Sequence, residues 1–384
     1  MNAPCDFGIE EEYLLVNLAS GTVLATPSMA VNRLCREVMG RYFAEEMFRS
    51  QIEIASPVFA NLHQAQAFFS ESRERLNRAL AQEGVGLYGA ASHPSVRWQA
   101  QHQRSGEHYK HVFEDVQHVA RCSVLSGLHV HVGVPASCDR MQLINRVLPW
   151  IPLLLVLSGS SPFWGSQATG YMSYRRVICA QWPHMGLPEQ LADWSAYQRY
   201  RALLQRTGAL PEAADLWWVI RPSRRFPTVE LRICDACPRL EDALCIAGLF
   251  RCLVESFRVD HYQPAILSRE QRWVLQENYW RALRYGRHGQ FIGQHQQQPV
   301  DALAWLGQLQ GQLNCATLDS ERALRHARRI LRDGNSADRQ LRCYAQAMRS
   351  AVGNRQALRA VVDHVMEETR GTRYQSSEAV HGLA

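Results

Sequence analysis

Residues 7–16 read FGIEEEYLLV, and no other stretch restricts the fold as much. Three consecutive glutamates, Glu10, Glu11 and Glu12, stand inside an otherwise apolar run. Carboxylates crowded in a buried segment repel one another and lose hydration. In a strand, side chains alternate, so residues two apart share a face roughly 6.6 Å apart. Glu10 and Glu12 then share one face, and Glu11 joins Ile9, Tyr13 and Leu15 on the other. The same pattern recurs three times. In QIEIA (51–55), Glu53 opposes Ile52 and Ile54. In GLHVHVGV (127–134), His129 and His131 oppose Leu128, Val130, Val132 and Val134. In TVELRIC (228–234), Glu230 and Arg232 oppose Val229, Leu231 and Ile233. If these strands are neighbours in one sheet, at least four carboxylates and two imidazoles converge. Such a cluster repels itself unless cations fill it. Oxygen-rich sites with few nitrogens suit Mg²⁺ or Mn²⁺ more than zinc.

Each motif alone admits a plainer reading. A Glu on a strand can face solvent, the HxH pair can bind zinc or sit on the surface, and Glu230 with Arg232 can be a cross-strand ion pair. The coincidence of four strands carries the inference. No GxxxxGK[ST] loop and no GxGxxG after a strand is present. A bound nucleotide would therefore need metal ions and arginines to hold its phosphates. The candidates are Arg175 and Arg176 in SYRR, Arg221 in IRPS, Arg232, and Arg281 and Arg284 in ENYWRALRYG.

The rest of the chain alternates strand and helix patterns without a flexible linker. Residues 27–40 predict a helix with Ser28 as N-cap and Gly40 as stop. Residues 61–84 predict a long amphipathic helix capped by Asn61 and ended by Gly84, and 85–94 a further strand. Beyond about 240 the pattern is helical, with a Gln-rich loop at 288–301. The expected class is α+β: one sheet with helices on one face and a helical C-terminal region, in a single domain (1–384) that is sheet-rich to 240 and mainly helical over 241–384. With 46% apolar residues in 384, the core can be large. The net charge of +6 comes almost entirely from dispersed arginines, so no nucleic-acid partner is expected. The apolar run 147–164 is broken by three prolines and small polar residues, and predicts a buried helix and loop, with no membrane partner. The 11 cysteines form no paired framework, CxxC at Cys234 and Cys237 has no second pair at zinc spacing, and the N-terminus lacks a secretory signal pattern. A reducing cytoplasm fits best.

FGIEEEYLLV, EMFRSQIEIASPV, GLYGAASHP, SGLHVHVGV, SSPFWGSQATGYMSYR, IRPSRRFPTVELRICDA and ENYWRALRYG, in that order, resemble the glutamate–cysteine ligase type 2 family, in its bacterial carboxylate-amine ligase subgroup. The resemblance runs over roughly 5–345. It implies a glutamine-synthetase-like antiparallel sheet curved into a funnel, with ATP at one end, the amino-acid carboxylate at the other and Mg²⁺ between. It implies Glu10, Glu12, Glu46, Glu53, His129 and Glu230 as metal ligands. Arg232, Glu53 and Glu230 would be catalytic, Arg232 by stabilising the transferring phosphate. Arg175, Arg221, His131, Asn278 and Arg281 would contact the nucleotide. The reaction implied is carboxylate activation as an acyl phosphate followed by amide formation. L-glutamate and L-cysteine are the implied small-molecule partners, with weak γ-glutamylcysteine synthesis and a homodimer expected. Three positions depart from the family pattern: Val219 where Asp is usual, Pro227 where Gly is common, and Ser56 where Thr is common. Two other readings compete. One is a metal-dependent hydrolase using the His/Glu cluster, and the other is a non-catalytic nucleotide- or metabolite-binding relative of the ligases.

Overall fold

The computed structural model describes residues 4–371 apart from 213, 259–265, 294–297, 315 and 352, with every side chain in that set except that of His108. Its centre is a seven-stranded sheet: β1 (Phe7–Asn17), β2 (Phe43–Glu45), β3 (Gln51–Ala55), β4 (Val85–Tyr88), β5 (Leu128–Gly133), β6 (Ile220–Pro222) and β7 (Thr228–Leu231). The order is β2-β3-β1-β5-β7-β6, and every neighbouring pair is antiparallel. Leu14 pairs with both Gln51 and Tyr88, so β4 occupies the same edge of β1 that β5 takes nearer its N-terminus. The expected strands at 7–16, 49–58, 85–94, 126–135 and 228–236 are all present, each near its predicted place and mostly shorter. The short edge strands β2 and β6 escaped the period-two reading because three residues cannot display a period.

The apolar face decides how the sheet sits. Ile9, Tyr13, Leu15, Ile52, Ile54, Leu128, Val130, Val132, Val229 and Leu231 are buried in the main core. Fully burying one such side chain contributes about 1.5–3 kcal/mol. A slip of one residue would expose them and bury the charges instead, so the register is strongly specified. The helix Leu62–Ala81 covers this face with Leu62, Ala65, Phe69, Leu76 and Leu80, the stripe expected from its sequence. Asn61 caps it by accepting from the Gln64 N–H at 3.0 Å. The helix Met29–Met39 begins at Ser28, whose hydroxyl accepts from the Val31 N–H, and ends at Gly40 with φ 54°, where glycine avoids the Cβ penalty. The helix Leu240–Phe257 is buried along most of its length, and the main core draws on residues from Cys5 to Leu331. Strand-rich and helical parts therefore share one core.

Glu11 is on the apolar face and is not left alone there. Arg73, from the Leu62–Ala81 helix, donates through Nε to Oε2 at 3.0 Å and through Nη2 to Oε1 at 2.6 Å. The Tyr13 hydroxyl donates to the same carboxylate. A buried carboxylate is tolerated when a fork of donors meets both oxygens. Three glutamates in a row are thus two different structures: Glu11 is a buried strut, and Glu10 and Glu12 look the other way.

The apolar stretch Arg140–Ser158 is long and apolar enough to cross a membrane, but most of it is buried inside the fold. It forms two short helices joined by a single tight turn, Leu148–Trp150, as a buried core element. The Gln-rich stretch differs from the loop expected: Phe291–Ile292 and Pro299–Val300 pair as a small ribbon, while 294–297 lie outside the described residues. Val219 is fully buried in the main core, so apolar packing accommodates this departure from the family pattern.

Candidate active site

Cross-strand pairing brings the polar residues together. Glu12 stands opposite Glu53, Glu10 opposite His129, and His131 opposite Glu230. The side chains follow. His129 Nδ1 is 3.2 Å from Glu10 Oε2, His129 Nε2 is 3.5 Å from Glu12 Oε1, and His131 Nε2 is 3.4 Å from Glu10 Oε1. Two trios of potential ligand atoms each fit within 4.8 Å: Glu10, His129 and Glu230, and Glu12, Glu53 and His129. His129 belongs to both. Glu46, one residue beyond β2, lies close enough to Glu53 for its charge to raise the Glu53 carboxyl. All six expected ligands therefore lie in one cluster.

The electrostatics divide this cluster. Burial acts upward on the Glu230 carboxyl, but Arg232, Arg221 and His131 outweigh it and hold it at about 2. Arg221 donates through Nε to Oε2 at 2.7 Å and through Nη2 to Oε1 at 3.2 Å, and Arg232 donates to Oε1. Burial also raises Glu10, yet its bonds to His129 and His131 bring it well below the usual range. The other half behaves oppositely. Burial, then the charge of Glu46, pushes Glu12 up to about 8, against the pull of Arg175. Burial and the charges of Glu10, Glu46 and Glu12 push Glu53 well above the carboxylate range, and burial raises Glu46. Burial and the charge of Arg232 lower His129 to about 4.

A divalent cation suits this half. His129 Nε2 is buried and has no hydrogen-bond partner, which is the state of a ligand atom awaiting a Lewis acid. A neutral imidazole with three carboxyls is an oxygen-rich donor set of the kind a hard divalent cation takes. The consequence is proton linkage. Glu12, Glu46 and Glu53 hold protons above their unfolded values, so the metal-free fold loses stability as pH rises. His129 works the other way only below its ordinary value of 6.5, where the unfolded chain takes up protons. Between pH 6.5 and 8 the glutamates dominate. The metal-free melting temperature is therefore expected to fall over that window, and Mg²⁺ to restore it more at pH 8 than at pH 6.5. Calorimetry in buffers of different ionisation enthalpy should register proton release on Mg²⁺ binding; metal-free melts that rise from pH 6.5 to 8 would refute it.

The expected arginines separate. Arg221 and Arg232 clamp Glu230, as above. Arg175 is buried beside the Glu12 half, and its charge lowers Glu12. Arg176 donates through Nε to the Tyr279 hydroxyl at 3.1 Å. Asn278 is committed elsewhere: it donates to the Ile292 carbonyl at 2.9 Å and accepts from the Ile292 N–H at 2.8 Å. Arg281 binds Glu277 and the Gln290 carbonyl, and Arg284 binds the Gly170 carbonyl. The hydrogen bonds described for Asn278 and Arg281 run to these groups and not to the glutamate cluster. His131 is anchored by Thr228 Oγ1 at 2.9 Å and faces the Phe226 ring edge-on. Sequence reasoning missed the Gly127 N–H, which donates to Glu12 Oε2 at 2.7 Å, because backbone donors leave no trace in residue types. It also missed Asp235, whose signal was a lone carboxylate in the apolar run RICDACP.

A model of glutamate-cysteine ligase family 2 matches residues 6–363. A Pseudomonas putida protein provisionally named glutamate–cysteine ligase 2 is 65% identical over 362 residues, 94% of this chain and 98% of that one. A Pseudomonas fluorescens protein of the same provisional name is 44% identical over 380 residues, 98% of this chain and 97% of that one. Among solved structures, the glutamate–cysteine ligase of Francisella tularensis, in complex with AMP, superposes with a TM-score of 0.68 at 12% identity, covering 97% of this chain and 90% of that one. A bifunctional glutathione synthetase from Pasteurella multocida gives 0.69 at 15% identity, over 97% of this chain and 53% of that one. The fold is thus that of the glutamine-synthetase-like ligases, and the chain belongs to glutamate-cysteine ligase family 2.

Proposed function

We propose that the protein is an ATP-dependent carboxylate–amine ligase that joins L-glutamate to an amine, with L-cysteine as one acceptor. The observation that carries this reading is the paired ligand trio hinged on His129, with its orphaned Nε2, set beside arginines already fixed in place. Glu12, Glu46, Glu53 and His129 would hold Mg²⁺ or Mn²⁺, with Glu10 beside them, while Glu230 is already matched by Arg221 and Arg232. Such ions, when bound, neutralise phosphate charge. The chain's own groups position the reactants. Arg232 keeps its charge because Glu230 stabilises it against burial, and it would offset the negative charge that develops on a transferring phosphoryl group. The carboxylate oxygen attacks the γ-phosphorus, ADP leaves, and the amine displaces phosphate from the acyl phosphate. Rigid strands suit chemistry that rests on positioning and fixed charge.

The test crosses carboxylates with amines in an ADP-release screen, followed by mass detection of the amide. ADP release without an amide in any combination would sink the ligase reading. Phosphate-free hydrolysis in the absence of ATP would favour the metallohydrolase instead. A reducing compartment fits a chain whose 11 cysteines form no small-domain disulfide spacing. A homodimer is the assembly the family resemblance suggests, to be read by light scattering.

A further inference from the structure

Asp235 lies outside every ligand set, yet it is fully buried and its carboxylate is completely engaged. Oδ2 accepts from the Ser160 N–H at 3.0 Å and from the Ser161 hydroxyl at 2.7 Å, and Oδ1 accepts from the Ser173 hydroxyl at 2.8 Å. Ser161 Oγ in turn accepts from the Arg175 backbone N–H at 3.0 Å. One carboxylate thus ties the 160–161 segment to the 173–175 segment and sets where the Arg175 side chain begins. The other end of Arg175 is fixed from the same stretch: Nη1 donates to the Cys234 carbonyl at 3.1 Å and lies 4.0 Å from Asp235 Oδ1.

The result is a guanidinium laid over Gly127. A Cβ on Gly127 would stand 2.3 Å from Arg175 Nη2 and 3.1 Å from His129 Nε2. The same point is thus close to the fixed cation and to the orphaned ligand atom, and the Gly127 N–H holds Glu12. Asp235 itself bridges to Gly127 across the sheet. Glycine is required here for close approach, since neighbouring guanidinium and imidazole would meet any side chain.

We propose that Asp235 is a positioning residue that, through Ser161 and Ser173, holds Arg175 over Gly127 to bind a polyphosphate oxygen of the nucleotide beside the His129 metal position. This rests on the ligase reading given above. Asp235 does not touch substrate. Its effect passes through Arg175, and the two should therefore behave as one unit.

The experiment is a double-mutant cycle of Asp235→Asn and Arg175→Ala, with Ser173→Ala as an independent cut in the same tether. Asparagine keeps the shape of Asp235 and one acceptor oxygen. The readouts are MgATP affinity by calorimetry, KM and kcat separately, and thermal melts. Each single variant is expected to weaken MgATP binding roughly 10-fold or more, the scale of a charge-assisted hydrogen bond. The double variant is expected to be no weaker than Arg175→Ala alone, because coupled residues are non-additive. Ser173→Ala is expected to lose affinity in the same direction while leaving Gly127, Glu12 and His129 untouched. Additive losses in the double variant would overturn the proposal, as would normal MgATP affinity in Asp235→Asn. If Asp235→Asn fails to fold, normal affinity in Ser173→Ala would overturn it, and a loss that disappears in the Arg175→Ala background would support it. Failure of the wild-type protein to bind MgATP would overturn the ligase reading, and this proposal with it; binding with additive losses would overturn this proposal alone.

Discussion

Glu53→Gln is expected to lower amide formation by on the order of 10²–10³ while leaving the fold intact, the range seen when one preorganised electrostatic group is removed from a catalytic site. Glu53 sits on β3 between Ile52 and Ile54, which are fully buried and anchor the strand. Glutamine keeps the shape and cannot carry the negative charge that a hard cation needs. In the metal-free protein Glu53 is already pushed well above the carboxylate range by burial and by Glu10, Glu46 and Glu12. Removing its titration should therefore flatten the fall in melting temperature between pH 6.5 and 8. Paired melts and turnover assays decide the matter. Near-wild-type turnover would show that Glu53 is no ligand, and lost turnover with a collapsed melt would assign it to the framework instead.

Glu230→Ala is expected to be the most destabilising single change in the site, at about 3–5 kcal/mol, the cost of stripping one partner from a buried charge network. Its side chain is 2% exposed and meets Arg221 and Arg232, which are 14% and 20% exposed. Removing the carboxylate leaves two guanidinia facing each other with no counter-charge and with His131 nearby. Glu230→Gln keeps an acceptor oxygen and should cost clearly less. Urea unfolding of both variants gives the comparison. A loss below about 1 kcal/mol for the alanine variant, the scale of a solvated surface pair, would mean that water reaches both arginines.

The two predictions concern opposite halves of one cluster, and this division could not be read in the sequence. Period-two spacing placed Glu10, Glu12, Glu53, His129, His131, Glu230 and Arg232 on the polar sides of their strands, because alternation is a property of the extended backbone alone. It could not tell which glutamates would meet arginine. That depended on β6, three residues long and without a visible period, which lays Arg221 against Glu230. Glu46 came from the family resemblance alone, since it stands outside any strand.

Local chemistry and pattern determined a good deal on their own. Strand alternation, the Asn61 and Ser28 caps, the apolar stripe of Leu62–Ala81 and the burial of the 140–158 stretch all follow from short-range geometry and hydrophobicity. Partners across hundreds of residues do not. Glu11 meets Arg73, Asp235 meets Ser160, Ser161 and Ser173, and Gly127 makes room for Arg175, each through packing of segments remote in the chain. The pairing of the Asn278 amide with the Ile292 backbone is another contact that residue type alone does not announce. The sequence therefore determined which residue types face the polar side of the sheet. Only the tertiary structure decided which carboxylates are neutralised by arginine and which are left for a cation, because a buried charge takes its state from neighbours that only the folded chain supplies.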